Sequence, residues 1–165
     1  MTEEKKNEEK KTSEVKTKEK TKIKKEKVSS SKSHYASVNI KDLPISTKQS
    51  VEVARFIRGK NLKKVKEALD KVLQKKIAVP YKRYNRDTPH RQGKIASGRY
   101  PQKTTTHFLK LLNSLEANAE NKGLNVETLV LSEVIANKAA SQWHYGRMRR
   151  RTMKRTNLRM KAVEK

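Results

Sequence analysis

Residues 147–155 read RMRRRTMKR, a stretch of nine residues with six cationic side chains and no acidic one. Two like charges about 4 Å apart repel by ~1 kcal/mol even in bulk water. A folded chain that held these side chains together without a counterion would gain nothing from doing so. The stretch therefore restricts the chain to folds that expose it, and it indicates a polyanionic partner.

The remaining charge is unevenly distributed. The 165 residues include 42 Lys/Arg and 17 Asp/Glu, which gives a net charge of +25. Residues 137–165 hold 10 Lys/Arg and one acid, and residues 81–103 hold 7 and one, whereas residues 104–136 hold 2 and 4. A strong local excess of positive charge is typical of proteins that bind nucleic acid, with an anionic membrane surface as the weaker alternative.

Several classes of protein are excluded by composition and motif. The absence of cysteine rules out disulfides and thiolate metal sites, and the four scattered histidines lack metal-ligand spacing, so we expect no metal and no other cofactor. No apolar run approaches the ~18 residues of a membrane span, and no G-x-S-x-G, P-loop or H-E-x-x-H motif occurs. We predict a protein that is not an enzyme, with no small-molecule substrate, no catalytic residue and no membrane partner.

The charge pattern also predicts the organisation of the chain. Residues 1–33 interleave 12 lysines with 7 glutamates and contain almost no apolar residue, so they are predicted to form a disordered Lys/Glu-rich tail. The tail has neither the apolar segment of a secretion signal nor the composition of a transit peptide, which favours a nucleocytoplasmic location. Residues 34–136 are predicted to form a globular α+β body with a basic loop at 81–103. Residues 137–165 are predicted to form a basic β-hairpin extension and return strand.

Two helices are predicted in the first half of the body. Ser46 or Thr47 can cap a helix that runs to Arg58, with Gly59 as its left-handed stop. Asn61 can cap a second helix, whose apolar residues recur at helical spacing and whose lysines occupy the opposite face. The apolar faces are predicted to contain Val51, Ala54, Phe56 and Ile57 in the first helix, and Leu62, Val65, Leu69, Val72 and Leu73 in the second.

The second half is predicted to add one helix and most of the sheet. Thr104 or Thr105 opens a third helix that Gly123 closes. Residues 34–40, 126–136 and 157–165 are rich in β-formers or alternate in polarity, as strands do. The fold class is therefore α+β, with three helices packed on a small antiparallel sheet. The last two strands and the basic segment that joins them form a long protruding β-hairpin.

Six segments in this order resemble a known family. The segments are RFIRGKNLKKV, VPYKRYN, SGRYPQKTT, LLNSLEANAENKGL, ANKA and RMRRRT. They resemble the universal large-subunit ribosomal protein family that is numbered twenty-two in bacteria and seventeen in eukaryotes, and VPYKRYN and SGRYPQK are similar to its eukaryotic and archaeal branch. The resemblance covers residues 34–165. The chain departs from the family in ASQWHYG (140–146), which lacks the usual proline, and at Tyr100, where tryptophan is common.

The resemblance implies a structural constituent of the large ribosomal subunit that binds large-subunit ribosomal RNA and supports subunit assembly and translation. It also implies that the hairpin tip helps to line the nascent-peptide exit tunnel. The implied partners are ribosomal RNA, neighbouring large-subunit proteins and the nascent polypeptide. The implied location is the cytoplasmic ribosome, with assembly in the nucleus or nucleolus if the chain is eukaryotic.

The candidate RNA-binding residues come from the basic loop and the cationic stretch. Arginine suits phosphate because its planar fork donates two hydrogen bonds and because it stacks on unpaired bases. Aromatic residues among these cations are candidates for base stacking, although packing of Tyr81 and Tyr84 against the body is an equal alternative. The RNA-binding candidates are Lys82, Arg83, Arg99, Arg147, Arg149, Arg150, Arg151, Lys154 and Arg155, and the stacking candidates are Tyr81, Tyr84, Trp143 and Tyr145.

A free-standing basic regulator of RNA or DNA is the alternative function. Such a regulator could use its helices in a nucleic-acid groove and would need a tip that is stable without RNA. A nuclease or related enzyme would need clustered carboxylates or another general base near the basic face, and the sequence lacks both.

Overall fold

The structure is a computed structural model, and it describes residues 34–164. The predicted tail, residues 1–33, lies outside the described residues. The described chain contains three helices and five strands, in the order β1 (Tyr35–Leu43), α1 (Thr47–Ile57), α2 (Leu62–Leu73), β2 (Val79–Pro80), β3 (Gly98–Arg99), α3 (Gln102–Asn121), β4 (Leu129–Lys138) and β5 (Thr156–Glu164). The predicted α+β class with three helices and an antiparallel sheet is confirmed.

The main sheet has the strand order β1-β5-β4, and both pairings are antiparallel. The last strand, β5, therefore lies in the centre of the sheet and pairs with both β1 and β4. β4 and β5 form the predicted hairpin, whose regular pairing ends at Lys138 and Thr156. Residues 139–155, called the hairpin tip below, connect the two strands.

The core lies between the three helices and one face of this sheet. Alternate residues of β5 point into it, as the period of two requires, and the central residues of α3 pack against them. Phe108, Leu112, Leu158 and Met160 have no solvent exposure. Of the predicted apolar face of α2, Leu62, Val65, Leu69 and Val72 are buried, and Leu73 is half-buried.

The predicted ends of α1 and α2 are confirmed in position, but the predicted cap of α1 is not, because Ser46 precedes the helix without a side-chain capping hydrogen bond. Gly59 follows α1 with a φ of 77°, and the Asn61 side chain accepts a hydrogen bond of 3.0 Å from the Lys63 N–H. The predicted apolar face of α1 is only partly right, because Val53 is buried while Val51 and Phe56 are half-buried. This helix packs on β4 on one side and on β2 on the other, so it buries more of its circumference than a single face.

The predicted start of α3 was wrong by one turn. The helix begins at Gln102, directly after Pro101, and Thr104 and Thr105 are buried inside it. The Thr105 hydroxyl donates back to the Pro101 carbonyl at 3.0 Å, and the Thr104 hydroxyl donates to the Gln49 side chain at 3.1 Å. These hydroxyls are satisfied within the helix and between helices, so neither residue caps it.

Candidate nucleic-acid interface

The basic loop, residues 81–103, is closed at its base by β2 and β3. Val79 pairs with Arg99, and Pro80 pairs with Gly98. The Tyr81 N–H donates to the Ser97 carbonyl at 3.0 Å, and the Ser97 hydroxyl donates to the Tyr81 carbonyl at 2.8 Å. The loop is therefore held as a hairpin-like unit despite its irregular sequence.

A buried glutamate fixes the first cations of this loop. Glu52 of α1 has no solvent exposure, and its carboxylate accepts three backbone N–H bonds, from Arg83 and Tyr84 at 2.8 Å and from Lys82 at 3.2 Å. A carboxylate that receives several N–H bonds is well satisfied in the interior. These bonds hold the loop backbone in place, and the Lys82 and Arg83 side chains are exposed.

The close approach at Gly98 leaves little room for a side chain. A Cβ at this position would lie 3.1 Å from the Ala78 Cβ, 3.2 Å from the Val79 carbonyl oxygen and 3.0 Å from the Ile95 side chain. We expect Gly98→Ala to lower the free energy of unfolding by about 1–3 kcal/mol, since the backbone of Val79 and the side chains of Ala78 and Ile95 must shift slightly to admit the methyl group. Chemical denaturation measures this effect. Ala96→Ser, at an exposed position of the same loop, is the control and should leave stability unchanged. Equal stability of both variants would show that the base of the loop is not tightly packed.

The two stacking candidates of the loop, Tyr81 and Tyr84, occupy different environments. Tyr81 is buried, with 5% of its surface exposed, and packs in the core. Tyr84 is half-buried, and the Arg83 guanidinium lies 5.4 Å from its ring centroid. The structure thus gives Tyr81 a packing position and leaves only Tyr84 with a ring that is partly accessible for stacking.

The hairpin tip is irregular and exposes its cations. Trp143 forms a bridge with Thr152, a 3₁₀ turn spans Gly146–Met148, and the Arg151 N–H donates to the Met148 carbonyl at 2.9 Å. The side chains of this turn are exposed to solvent. None of the exposed tip cations has a carboxylate within ion-pair distance among residues 34–164. These cations are Arg147, Arg149, Arg150, Arg151 and Lys154.

Two aromatic residues accompany the tip cations. Trp143 is 67% exposed and Tyr145 is 86% exposed. Large exposed aromatic surfaces are unfavourable in water, and they suit stacking on unpaired bases. The structure therefore keeps both residues available as stacking candidates.

Arg155 has a different role from the other predicted cations. Its guanidinium donates to the Asp42 carbonyl and to the Gln142 side chain, both at 3.2 Å, and lies 3.6 Å from the Asp42 carboxylate. These contacts connect the base of the tip to the end of β1. Arg155 thus braces the tip, and its charge is already partly matched within the protein.

The loop and the tip meet beside the first turn of α1. Arg83 and Arg99 from the loop and Lys154 from the tip line one groove there, together with two cations that the sequence analysis did not single out, Lys48 and Arg86. The tip also borders a second groove, lined by Pro44, Lys103 and His144 among others. The first groove thus brings together three of the predicted RNA-binding residues and the two tyrosine stacking candidates, Tyr81 and Tyr84.

No alternative chemistry is visible in the described part of the chain. Among residues 34–164, no group of three or more histidine and acidic side chains is arranged to hold a metal ion. None of the described helices is both long enough and apolar enough to cross a membrane. Two exposed cationic surfaces on a small α+β body are typical of the class of proteins that bind a polyanion.

Comparison with known proteins identifies the family within this class. Residues 38–163 match the family described as ribosomal protein L22p/L17e, and the chain belongs to this family. The resemblance inferred from the six segments is thereby confirmed. The prediction that the chain is not an enzyme agrees with membership of a ribosomal protein family.

Curated relatives agree with this assignment. The large ribosomal subunit protein uL22 of Nanoarchaeum equitans is 42% identical over 145 residues, which is 82% of this chain and 82% of that protein. The protein of the same name from Ignicoccus hospitalis is 40% identical and covers 74% of this chain and 84% of its own length. That from Archaeoglobus fulgidus is 46% identical over 99 residues, 59% of this chain and 64% of its own length. All three are archaeal, which fits the branch expected from the motifs.

Proposed function

We propose that the chain is a structural constituent of the large ribosomal subunit and binds large-subunit ribosomal RNA through the basic loop and the hairpin tip. The observation that carries this proposal is the set of exposed tip cations without a carboxylate partner among the described residues, in a chain of a ribosomal protein family. RNA phosphates supply the missing countercharge, and release of their condensed cations favours binding.

The hairpin gives the proposal its mechanism. The body lies against RNA through the loop, and the tip extends between RNA segments, where each arginine meets several phosphates and their mutual repulsion is overcompensated. We propose further that the tip helps to line the nascent-peptide exit tunnel, with neighbouring large-subunit proteins and the nascent chain as additional partners. The protein works by binding and shaping RNA during assembly and translation, in cytoplasmic ribosomes and, in a eukaryote, at nucleolar assembly sites.

Sedimentation of the tagged full-length protein through a sucrose gradient tests the proposal. We expect co-migration with large ribosomal subunits that persists in high salt, because an enclosed tip is neutralised by several RNA strands at once. A loosely bound basic protein would dissociate instead, since the affinity of about six phosphate contacts falls roughly 10³-fold between 50 and 200 mM salt. Migration as a free protein in cell extract would contradict the ribosomal function and favour the free-standing regulator.

A further inference from the structure

The groove beside the first turn of α1, called the phosphate groove below, is unusually cationic. It encloses about 350 Å³ between the basic loop and the return arm of the tip. Five cations line it, and no acidic residue does so among the described residues; the cations are Lys48, Arg83, Arg86, Arg99 and Lys154. Converging charges of one sign in a concave surface raise the local potential and attract an anion.

A buried tyrosine lines the same groove with its hydrogen-bonding capacity unused. The Tyr81 hydroxyl has no hydrogen-bond partner among residues 34–164. Burial raises the pKa of Tyr81 to about 12, the Arg99 charge opposes this, and the Glu52 carboxylate adds to it, so the hydroxyl keeps its proton at neutral pH. A buried donor without an acceptor costs about 1–3 kcal/mol. An acceptor placed in the groove would remove that cost.

The first turn of α1 supplies further donors. The first N–H groups of an α-helix have no carbonyl partner within the helix, and together they carry a partial positive charge. In α1 the Ser46 side chain makes no capping hydrogen bond, and the first turn contains no acidic residue. Ser46, Lys48 and Gln49 of this turn line the groove. A helix terminus left in this state is suited to a phosphate group.

We propose that the phosphate groove binds one backbone phosphate of RNA, held by the Tyr81 hydroxyl and the first N–H groups of α1 and neutralised by Arg83, Arg99 and Lys154. This inference rests on the proposed function and adds to it a defined site at the junction of loop, helix and tip. Because Lys154 belongs to the tip and the arginines belong to the loop, one bound phosphate would fix the two RNA-binding surfaces relative to each other.

The variant Tyr81→Phe in the full-length protein tests the site. It removes one oxygen atom that has no hydrogen-bond partner among residues 34–164, so we expect an unchanged circular dichroism spectrum and unchanged or higher thermal stability. Its affinity for purified large-subunit ribosomal RNA should fall about tenfold at fixed salt, the loss expected for one hydrogen bond to a charged group. Tyr35→Phe makes the same chemical change in β1, where the ring contacts Lys122 and Lys161 instead, and should leave the affinity unchanged.

Lys154→Ala provides a second variant, at an exposed position where no folding role is expected. We expect it to weaken RNA binding as well, and to weaken it less when Tyr81→Phe is already present, since both residues would hold the same phosphate. Independent effects of the two substitutions would contradict a shared site.

Titration with inorganic phosphate, compared with titration with RNA, tests whether the groove prefers an RNA phosphate to a free phosphate ion. In the wild-type protein, amide resonances of the first turn of α1 should shift weakly with inorganic phosphate and strongly with RNA, and both responses should shrink in Tyr81→Phe. Equal RNA affinities for Tyr81→Phe and the wild type would overturn the proposed site while leaving the ribosomal function intact. Failure of the wild type itself to bind RNA would instead overturn the proposed function on which the site depends.

Discussion

Replacing Arg149, Arg150 and Arg151 together by alanine should leave the body folded and lower incorporation into large ribosomal subunits by at least about tenfold. Each arginine is exposed at the turn of the tip and has no carboxylate partner among residues 34–164. Loss of three phosphate contacts should also reduce the salt dependence of RNA binding, by about 2–3 in the slope of log K against log salt concentration. Thermal stability should stay equal or rise, because mutual repulsion is relieved.

Two matched variants sharpen this prediction. Substitution of the same three arginines by lysine keeps the charge but removes the planar fork, so incorporation should fall to an intermediate level. Substitution of Lys64, Lys71 and Lys76 by alanine removes the same charge from exposed positions in and just after α2, away from the loop and the tip, and should have little effect. Normal incorporation of the triple alanine variant would remove the tip from the RNA-binding surface.

The second large effect is expected at Glu52. Glu52→Gln keeps the size of the side chain but turns one acceptor oxygen into a donor amide that faces the bound N–H groups of the loop. We expect the free energy of unfolding to fall by about 1–3 kcal/mol and RNA affinity to fall with it, because Lys82 and Arg83 lose their fixed position.

The sign of the change in RNA affinity distinguishes two roles of Glu52, which are positioning of the loop backbone and a contribution to the net charge of the protein. Glu52→Gln makes the protein more positive, so long-range attraction alone would strengthen RNA binding. Glu67→Gln makes the same change in charge at an exposed position of α2 and serves as the control. Weaker binding by Glu52→Gln together with equal or tighter binding by Glu67→Gln is the expected pair of results. Tighter binding by both would show that Glu52 does not organise the loop.

Features of the fold that depend on interactions between residues close in sequence were predicted well, and features that depend on contacts between distant segments were not. The helices α1 and α2 were predicted nearly to their ends because apolar spacing, an Asn cap and a glycine stop are local signals. The two long strands of the hairpin were likewise indicated by their own residues. The start of α3 was missed because two threonines that resemble caps are instead satisfied by a helical carbonyl and by Gln49 of another helix.

The candidate interface was harder to predict than the fold. The sequence indicated which segments are cationic, but it did not show that Arg155 is engaged by Asp42 while the exposed tip cations have no carboxylate partner among the described residues. Glu52 was overlooked because its three bonding partners lie about 30 residues further along the chain. The only local signal was an acidic residue between Val51 and Val53, which a surface position explains equally well. Contacts between distant segments leave little trace in either segment alone.

The central place of β5 in the sheet has a consequence for biosynthesis. Among residues 34–164, β1 pairs with β5 alone in the main sheet, so Tyr35 must wait for Val163 to be made before it gains its partner. Pairing across such a separation is slow, and an unfinished sheet leaves apolar surface open to proteases and aggregation. Because the tip precedes β5, a product that terminates early cannot close its body and should be degraded. Neither edge strand of the main sheet can gain its partner until the central strand, which follows the tip, has been made.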